Sequence, residues 1–161
     1  MAERTSTQVS KVINAPREAI YRTCLDPVAV AAWRSPENMK AHVHAFDARE
    51  GGRFRMSLTY LDPARSPGGK TSEDTDTFAG RFAELVPCER IVEVIEFESK
   101  DPRFDGEMTI ITRFADTADG TEVTILCQDI PPGIRPEDNE IGCESSLRNL
   151  ARLLSDATGW P

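Results

Sequence analysis

Three features are missing from this sequence: a long apolar run, an excess of positive charge, and closely spaced pairs of cysteines. The longest apolar run, Val28 to Trp33, has six residues, whereas a membrane-spanning helix needs about 20. Lys and Arg number 19 against 27 Asp and Glu, which gives a net charge of −8. Such a charge opposes binding to phosphate backbones and to anionic membranes. We therefore expect neither a nucleic-acid partner nor membrane insertion.

The cysteines and the N-terminus together favour a reducing compartment. Cys24, Cys88, Cys127 and Cys143 are scattered and form no CxxC pair, and a scattered set usually consists of small core or surface residues. Residues 1–8 lack the apolar stretch of a secretory signal, so we expect a cytoplasmic location. A chain of 161 residues can bury an ordinary core without disulfides or a structural metal. We expect residues 1–161 to form a single domain.

Helical patterns flank the middle of the chain on both sides. After a strand predicted at Gln8–Asn14, Pro16 opens a short helix, and a second short helix is predicted from Pro27 to Ala32. A longer helix is predicted from Pro136 to about Thr158, because its first turn is acidic and one of its stripes is apolar. The apolar stripe consists of Ile141, Leu147, Leu150, Ala151 and Leu154.

Between Lys40 and Gln128 the apolar residues recur with a period of two, which is the pattern of antiparallel strands. Every second residue of Arg53–Tyr60 is apolar, and Asp119-Gly120 is a typical hairpin turn. The predicted fold class is α+β: a curved antiparallel sheet of about six to seven strands wraps around the long C-terminal helix, with two short helices after the first strand. The remaining strands are predicted at Thr77–Leu85, Arg90–Ser99, Gly106–Ala115 and Thr121–Gln128.

Residues 62–76 form the longest connection in the predicted sheet. The segment contains two prolines, adjacent glycines and several charged residues, so it cannot contribute to a core. Loops of this length are uncommon unless they are mobile or functional. The two alternatives are an exposed hairpin loop and a lid over a ligand.

Five blocks of sequence occur in an order that carries a family resemblance. They are Val12–Glu18 leading into a helix, Asp26-Pro27 before a helix that ends at Trp33, Phe46–Phe54, Gly80–Val92, and a final helix carrying Gly142 and its leucines. Over about Gln8 to Asp156, which we take as the core of the domain, the chain resembles the SRPBCC or START-like superfamily, in its branch related to the activator of Hsp90 ATPase. The resemblance implies a helix-grip fold, with a deep apolar cavity between the sheet and the C-terminal helix.

The resemblance leaves the function open. Members of the superfamily include lipid and hormone binders, cyclases, ring hydroxylase subunits and co-chaperone domains, so the fold does not identify the activity. Many relatives carry Trp immediately after the helix glycine, where this chain has Cys143. We therefore expect one wall of the cavity to differ from theirs.

Few residues offer a basis for catalysis or metal binding. His42 and His44 are the only histidines and share one side of a strand, but no third ligand joins them, so we expect no metal and no cofactor. The acid-base candidate is Glu93, which has the parity of Ile91 and Ile95 and could therefore face the cavity with a raised pKa. The alternative is a solvated strand edge, because the opposite face of the strand also carries glutamates.

The predicted function is the binding of a small, mostly hydrophobic molecule between the sheet and the C-terminal helix. A cyclase-like enzyme that uses Glu93 and a chaperone-associated interaction module are the alternatives, and we favour a protein that is not an enzyme. Trp33 either stacks on a ligand at the cavity mouth or anchors the short helices on the sheet. A chaperone or a second copy of the chain stays open as a macromolecular partner. The predicted walls consist of Trp33, Phe54, Met56, Leu58, Ile95, Phe97, Met108, Ile110, Cys143, Leu147 and Leu150.

Overall fold

The helices lie near the two ends of the chain, and the middle of the chain consists mainly of strands. A computed structural model describes residues 5–36, 38–62, 69–72 and 74–158, with side chains up to Ser155. The strands are β1 (Thr5–Ile13), β2 (Met39–Phe46), β3 (Arg53–Tyr60), β4 (Thr75–Val86), β5 (Arg90–Phe97), β6 (Met108–Thr117) and β7 (Gly120–Ile130). The helices are α1 (Arg17–Cys24), α2 (Pro27–Trp33) and α3 (Pro136–Thr158), and a short 3₁₀ turn covers Pro102–Phe104.

All seven strands form one antiparallel sheet in the order β1-β7-β6-β5-β4-β3-β2. Consecutive strands from β2 to β7 are neighbours, and β1 closes the other edge beside β7. Helix α3 packs against β1, β7 and α2. The sheet curves around this helix, so the predicted α+β helix-grip architecture is confirmed.

Local sequence explains where α2 begins and where the β6–β7 hairpin turns. The Asp26 side chain accepts a hydrogen bond of 2.9 Å from the Val28 amide and so caps the start of α2. Gly120 forms the predicted β6–β7 hairpin with a φ of 134°, and a Cβ at that position would lie 2.2 Å from the Ile13 carbonyl oxygen. Only glycine satisfies both the backbone angle and the close approach to β1.

The core lies between the concave face of the sheet and α3. The even-spaced residues that we expected to be buried on β6 and β7 are buried, including Phe114 and Val123. On α3 the buried apolar side chains are Leu147, Leu150 and Leu154. Ile141 does not belong to this stripe and is 62% exposed. It precedes Leu147 by six positions, which turns it about 120° around the helix axis.

The connection between β3 and β4 is described only in part. Of the predicted 62–76 loop, residues 63–68 and 73 lie outside the described residues. The amides of Thr71 and Ser72 donate to the Thr75 carbonyl at 3.0 and 3.1 Å, which folds the end of the loop back onto β4. The lid stays a prediction.

Within the described ranges, none of the helices is both long enough and apolar enough to cross a membrane.

Candidate functional site

A cavity of about 340 Å³ lies between the inner face of the sheet, the end of α2 and the first half of α3. On the helix side it is bordered by Asp138, Asn139 and Ile141 and by three small residues, Gly142, Cys143 and Ser146, which leave space that larger residues would fill. A Cβ added to Gly142 would meet no heavy atom within 4 Å outside its own helix. The small residues of α3 therefore account for the cavity on this face.

A second concavity lies outside the sheet-helix layer, between the end of α2 and the last turns of α3. It measures about 520 Å³ and is bordered by Ser35, Asn149, Arg152 and their neighbours. Because no strand closes it apart from Met39 at the start of β2, it is a groove open to solvent. We take the cavity between the sheet and α3 as the candidate site, since a concave space with mostly apolar walls is typical of small-molecule sites.

Several of the predicted wall residues border the cavity. Trp33 closes it at the end of α2, Cys143 borders it on α3, and the other members lie on the sheet: Leu58, Ile95, Phe97, Met108 and Ile110. The structure thus brings these side chains together around one space. Their role in binding a ligand stays a prediction.

Four predicted wall residues lie elsewhere, which corrects the outline of the site. Phe54 and Met56 border a separate void of about 10 Å³, and the Phe54 ring lies 5.0 Å from that of Phe82 in an aromatic cluster. Leu147 and Leu150 are buried in the hydrophobic core and do not border the cavity. The periodicity of the strand and of the helix predicted the correct face for these residues but not their position along that face.

One end of the cavity is polar, and this feature was not predicted. Asp76 is 5% exposed and accepts hydrogen bonds from the Lys70 amide at 2.6 Å and from the Lys70 ammonium at 2.9 Å. The same ammonium lies 5.2 Å from the centre of the Phe97 ring. Both residues of the pair border the cavity, as do Arg34, Asn38 and Asn139, so a compensated pair of charges faces a space whose wall is mostly but not wholly apolar.

Tyr60 and Asp138 extend the polar end toward α3. Burial, together with the negative charges of Asp76 and Asp138, raises the pKa of Tyr60. Its hydroxyl therefore stays protonated at neutral pH and can donate a hydrogen bond. Tyr60 continues the period of two on β3, and Asp76 lies opposite Leu58 near the start of β4, so no break in the alternation marked this polar end.

Glu93 is buried, but it does not border the cavity. Its Oε2 lies 2.5 Å from the Arg34 guanidinium, which in turn lies 5.0 Å above the Trp33 ring. Burial acts to lower the pKa of Arg34, but the charge and hydrogen bond of Glu93 outweigh it and the net shift is upward. The charge of the carboxylate is thus compensated by Arg34. This arrangement excludes the solvated-edge interpretation of Glu93 and leaves it poorly suited to acid-base catalysis.

Trp33 is 1% exposed and anchors α2 against the sheet, and it also borders the cavity. Its indole nitrogen is buried and finds no hydrogen-bond acceptor among the described residues. A buried donor without an acceptor costs about 1–3 kcal/mol. Because Trp33 is buried in the core and also borders the cavity, its two predicted roles are compatible in geometry.

The histidine pair lies on the exposed side of β2. The rings of His42 and His44 are 4.6 Å apart in an edge-to-face arrangement, and His44 Nε2 lies 2.7 Å from the Ser57 hydroxyl. Burial and the nearby charge of Arg55 lower the pKa of His44. Among the residues that the structure describes, no group of three His, Cys, Asp or Glu side chains is arranged to hold a metal ion.

Two cysteines meet at the cavity wall. Cys127 on β7 and Cys143 on α3 both border the cavity, and their sulfur atoms lie 3.9 Å apart. The sequence separates them by 16 positions and places them in different elements. Their proximity is therefore a result of the helix-grip packing rather than of a local motif.

Comparison with known proteins agrees with this architecture. Residues 14–155 match the family model described as activator of Hsp90 ATPase homolog 1-like protein. The chain belongs to this family. Among curated proteins, none matches the chain.

Solved structures of relatives place the same fold along almost the whole chain. A protein from Chromobacterium violaceum is 34% identical, with a TM-score of 0.80, and the match covers 92% of this chain and 95% of that one. An AHSA1-like protein from Aeromonas hydrophila is 21% identical, with a TM-score of 0.70 and coverage of 96% and 94%. A protein from Rhodobacter sphaeroides is 17% identical, with a TM-score of 0.77 and coverage of 95% and 93%. The latter two show the fold alone.

Proposed function

We propose that this member of the activator of Hsp90 ATPase homologue family binds a small, mostly hydrophobic molecule that carries one polar, hydrogen-bond-accepting end. The observation that carries the proposal is the cavity of about 340 Å³, which is apolar along most of its wall and is bordered by the Lys70–Asp76 pair. Its volume lies at the lower end of the range of about 300–1,000 Å³ that small-molecule sites occupy. A ligand of modest size is therefore expected.

The apolar part of the ligand is expected to lie along the sheet. Leu58 on β3, Ile95 on β5, and Met108 and Ile110 on β6 present hydrocarbon surface to the cavity. Removing apolar ligand surface from water is favourable by roughly 25 cal/mol per Å². Contact with these side chains would supply most of the binding free energy.

The polar end of the ligand is expected to lie at Lys70 and Tyr60. An ammonium group has three donors, and Asp76 accepts one of them. The remaining donors and the protonated Tyr60 hydroxyl suit a carboxylate or carbonyl oxygen. Because Lys70 already has its counter-charge in Asp76, the site favours one acceptor group and not a polyanion.

The test compares an acid with the matching alcohol. Decanoate and decanol compete with the dye anilinonaphthalene sulfonate for the purified protein, and we expect decanoate to displace the dye at lower concentration. Lys70→Met should remove that preference, whereas Lys11→Met, on the exposed side of β1, should retain it. Gly142→Leu should reduce binding of both competitors by filling the cavity, with the far-UV circular dichroism unchanged.

Extraction of the protein purified from its native host adds an independent readout. Mass spectrometry of the extract is expected to show a stoichiometric small molecule that Gly142→Leu no longer retains. If the protein binds neither dye nor competitor and the extract is empty, the proposal is overturned.

The chaperone-associated alternative rests on the family name and on the acidic charge of the chain. It predicts that the protein changes the ATPase rate of an Hsp90 and that filling the cavity with Gly142→Leu leaves this effect intact. The cyclase-like alternative loses support from the structure, because Glu93 does not border the cavity and its carboxylate is bound by Arg34, which does.

A further inference from the structure

Cys127 and Cys143 are the pair of thiols in this chain that the fold brings into contact. Cys127 belongs to the inward-facing residues of β7, and Cys143 lies on the first half of α3. Their sulfurs are 3.9 Å apart, whereas a disulfide needs about 2.05 Å. An approach of roughly 1.9 Å, divided between two side-chain rotations and a small shift of α3, would join them.

We propose that Cys127 and Cys143 form a redox-active dithiol, which hydrogen peroxide entering the cavity oxidises to a disulfide that ties α3 to β7. Both residues border the cavity, so the oxidant has a route to the sulfurs without unfolding of the domain. Cys127 is 1% exposed, which favours hydrogen peroxide, the smallest hydroperoxide, over bulkier ones. The proposal uses the cavity only as a route of access and does not depend on ligand binding.

The electrostatics of the pair favour Cys127 as the sulfur that reacts first. The hydrogen bond from Cys143 lowers the pKa of Cys127 against the opposing effect of burial. That same hydrogen bond, burial and the neighbouring thiolate raise the pKa of Cys143. Cys127 is therefore the thiol of the pair that ionises first, and its thiolate then lies beside the Cys143 thiol. A thiolate is the nucleophile that peroxide chemistry needs.

The reaction balances with one molecule of hydrogen peroxide. The Cys127 thiolate attacks one peroxide oxygen, the O–O bond breaks, and the departing hydroxide takes up the proton released when Cys127 ionised. Cys127 becomes a sulfenic acid. The Cys143 sulfur then attacks the Cys127 sulfur, the S–O bond breaks, and the leaving hydroxide takes the Cys143 proton. Two thiols are oxidised to a disulfide, and hydrogen peroxide is reduced to two molecules of water.

The other two cysteines provide matched controls. Cys24 lies in the core at the end of α1, where burial raises its pKa to about 12. Cys88 lies in the turn between β4 and β5, with a φ of 61°, and is partly exposed. Neither is part of the sulfur-sulfur contact at the cavity wall. A reaction governed by exposure alone would modify Cys88 first.

The experiment treats the reduced full-length protein with one equivalent of hydrogen peroxide and maps the peptides under non-reducing conditions. We expect the four free thiols to fall to two, with one peptide pair linked through Cys127 and Cys143. Cys88→Ser and Cys24→Ser should react in the same way. In Cys143→Ser the reaction should stop at a Cys127 sulfenic acid, which dimedone traps. Dithiothreitol should restore the wild-type thiols in full.

Other outcomes would overturn the proposal. They are a covalent dimer through Cys88, sulfinic acid on Cys127 in the wild-type protein without a disulfide, or four thiols that survive the treatment. Far-UV circular dichroism of each variant, together with Cys143→Ala as a second replacement, ensures that the comparison is made on folded protein.

Discussion

The Arg34–Glu93 pair offers a sharp test of how the interior of this protein is organised. The two side chains are 16% and 8% exposed and their charged atoms lie 2.5 Å apart. Arg34→Met keeps an unbranched apolar stem but removes the guanidinium and its charge, which leaves the Glu93 carboxylate buried without its partner. Breaking a buried ion pair from one side typically costs about 3–5 kcal/mol. Because Arg34 retains some solvent contact, we expect a loss of about 3 kcal/mol in the free energy of unfolding.

A double-mutant cycle measures the coupling. Glu93→Leu alone should also destabilise the protein, whereas the combination of Arg34→Met with Glu93→Leu should cost far less than the two losses added together. Replacing a whole buried pair with apolar residues is often close to neutral. Urea unfolding, followed by circular dichroism and tryptophan fluorescence, gives the four free energies of unfolding needed for the cycle.

An exposed ion pair in the same sheet supplies the control. Arg55 binds Glu98 through two hydrogen bonds of 2.7 and 2.9 Å, but both side chains are in contact with solvent. Arg55→Met should therefore lower stability much less than Arg34→Met, because surface pairs are screened. Equal losses for the two arginines, or additive losses within the Arg34–Glu93 cycle, would refute the reasoning that burial makes this pair structural.

Three further predictions concern the cavity and its surroundings. Gly142→Ala should raise the free energy of unfolding by about 0.5–1 kcal/mol in thermal or urea melts, because a Cβ there meets open space and alanine favours a helix; a loss would mean that the space is already filled. Cys143→Trp should keep the fold and weaken dye binding, since the indole would occupy the cavity that Cys143 borders; a clear fall in melting temperature would show a tightly packed wall instead. The pKa of Tyr60, followed by its phenolate absorbance, should lie above that of free tyrosine. It should fall in Asp138→Asn, because Asp138 is one cause of the upward shift. An unchanged pKa in this variant would show that the charge of Asp138 does not act on Tyr60.

The strands and their inward faces could be predicted from the sequence because both depend on short-range patterns. Alternation in Arg53–Tyr60 reproduces the bounds of β3, and the even-spaced residues of β6 and β7 are buried as expected. The hairpin at Gly120 follows from the Asp-Gly turn. The alternation of apolar residues and the turn-forming residues each involve only a few neighbouring positions, so they can be recognised in the sequence before any tertiary contact is known.

The site could be predicted only in part, because parity assigns a residue to a face and not to a place on that face. Phe54, Met56 and Leu58 share one parity on β3, yet only Leu58 borders the cavity, while the other two pack around a separate void. The difference arises from where α3 and α2 cross the curved sheet. No pattern within a strand contains that information.

Tertiary structure alone determines which charged side chains and which sulfur atoms come into contact. Arg34 and Glu93 are 59 positions apart, and Cys127 meets Cys143 across the layer between sheet and helix. Each pairing requires that several strands register correctly and that a helix then packs on them. The amino-acid sequence by itself determined the strands, the helices and the family, whereas the packing of α2 and α3 on the sheet determined which polar groups meet in the interior, because side chains distant in the chain interact only after the elements carrying them are in contact.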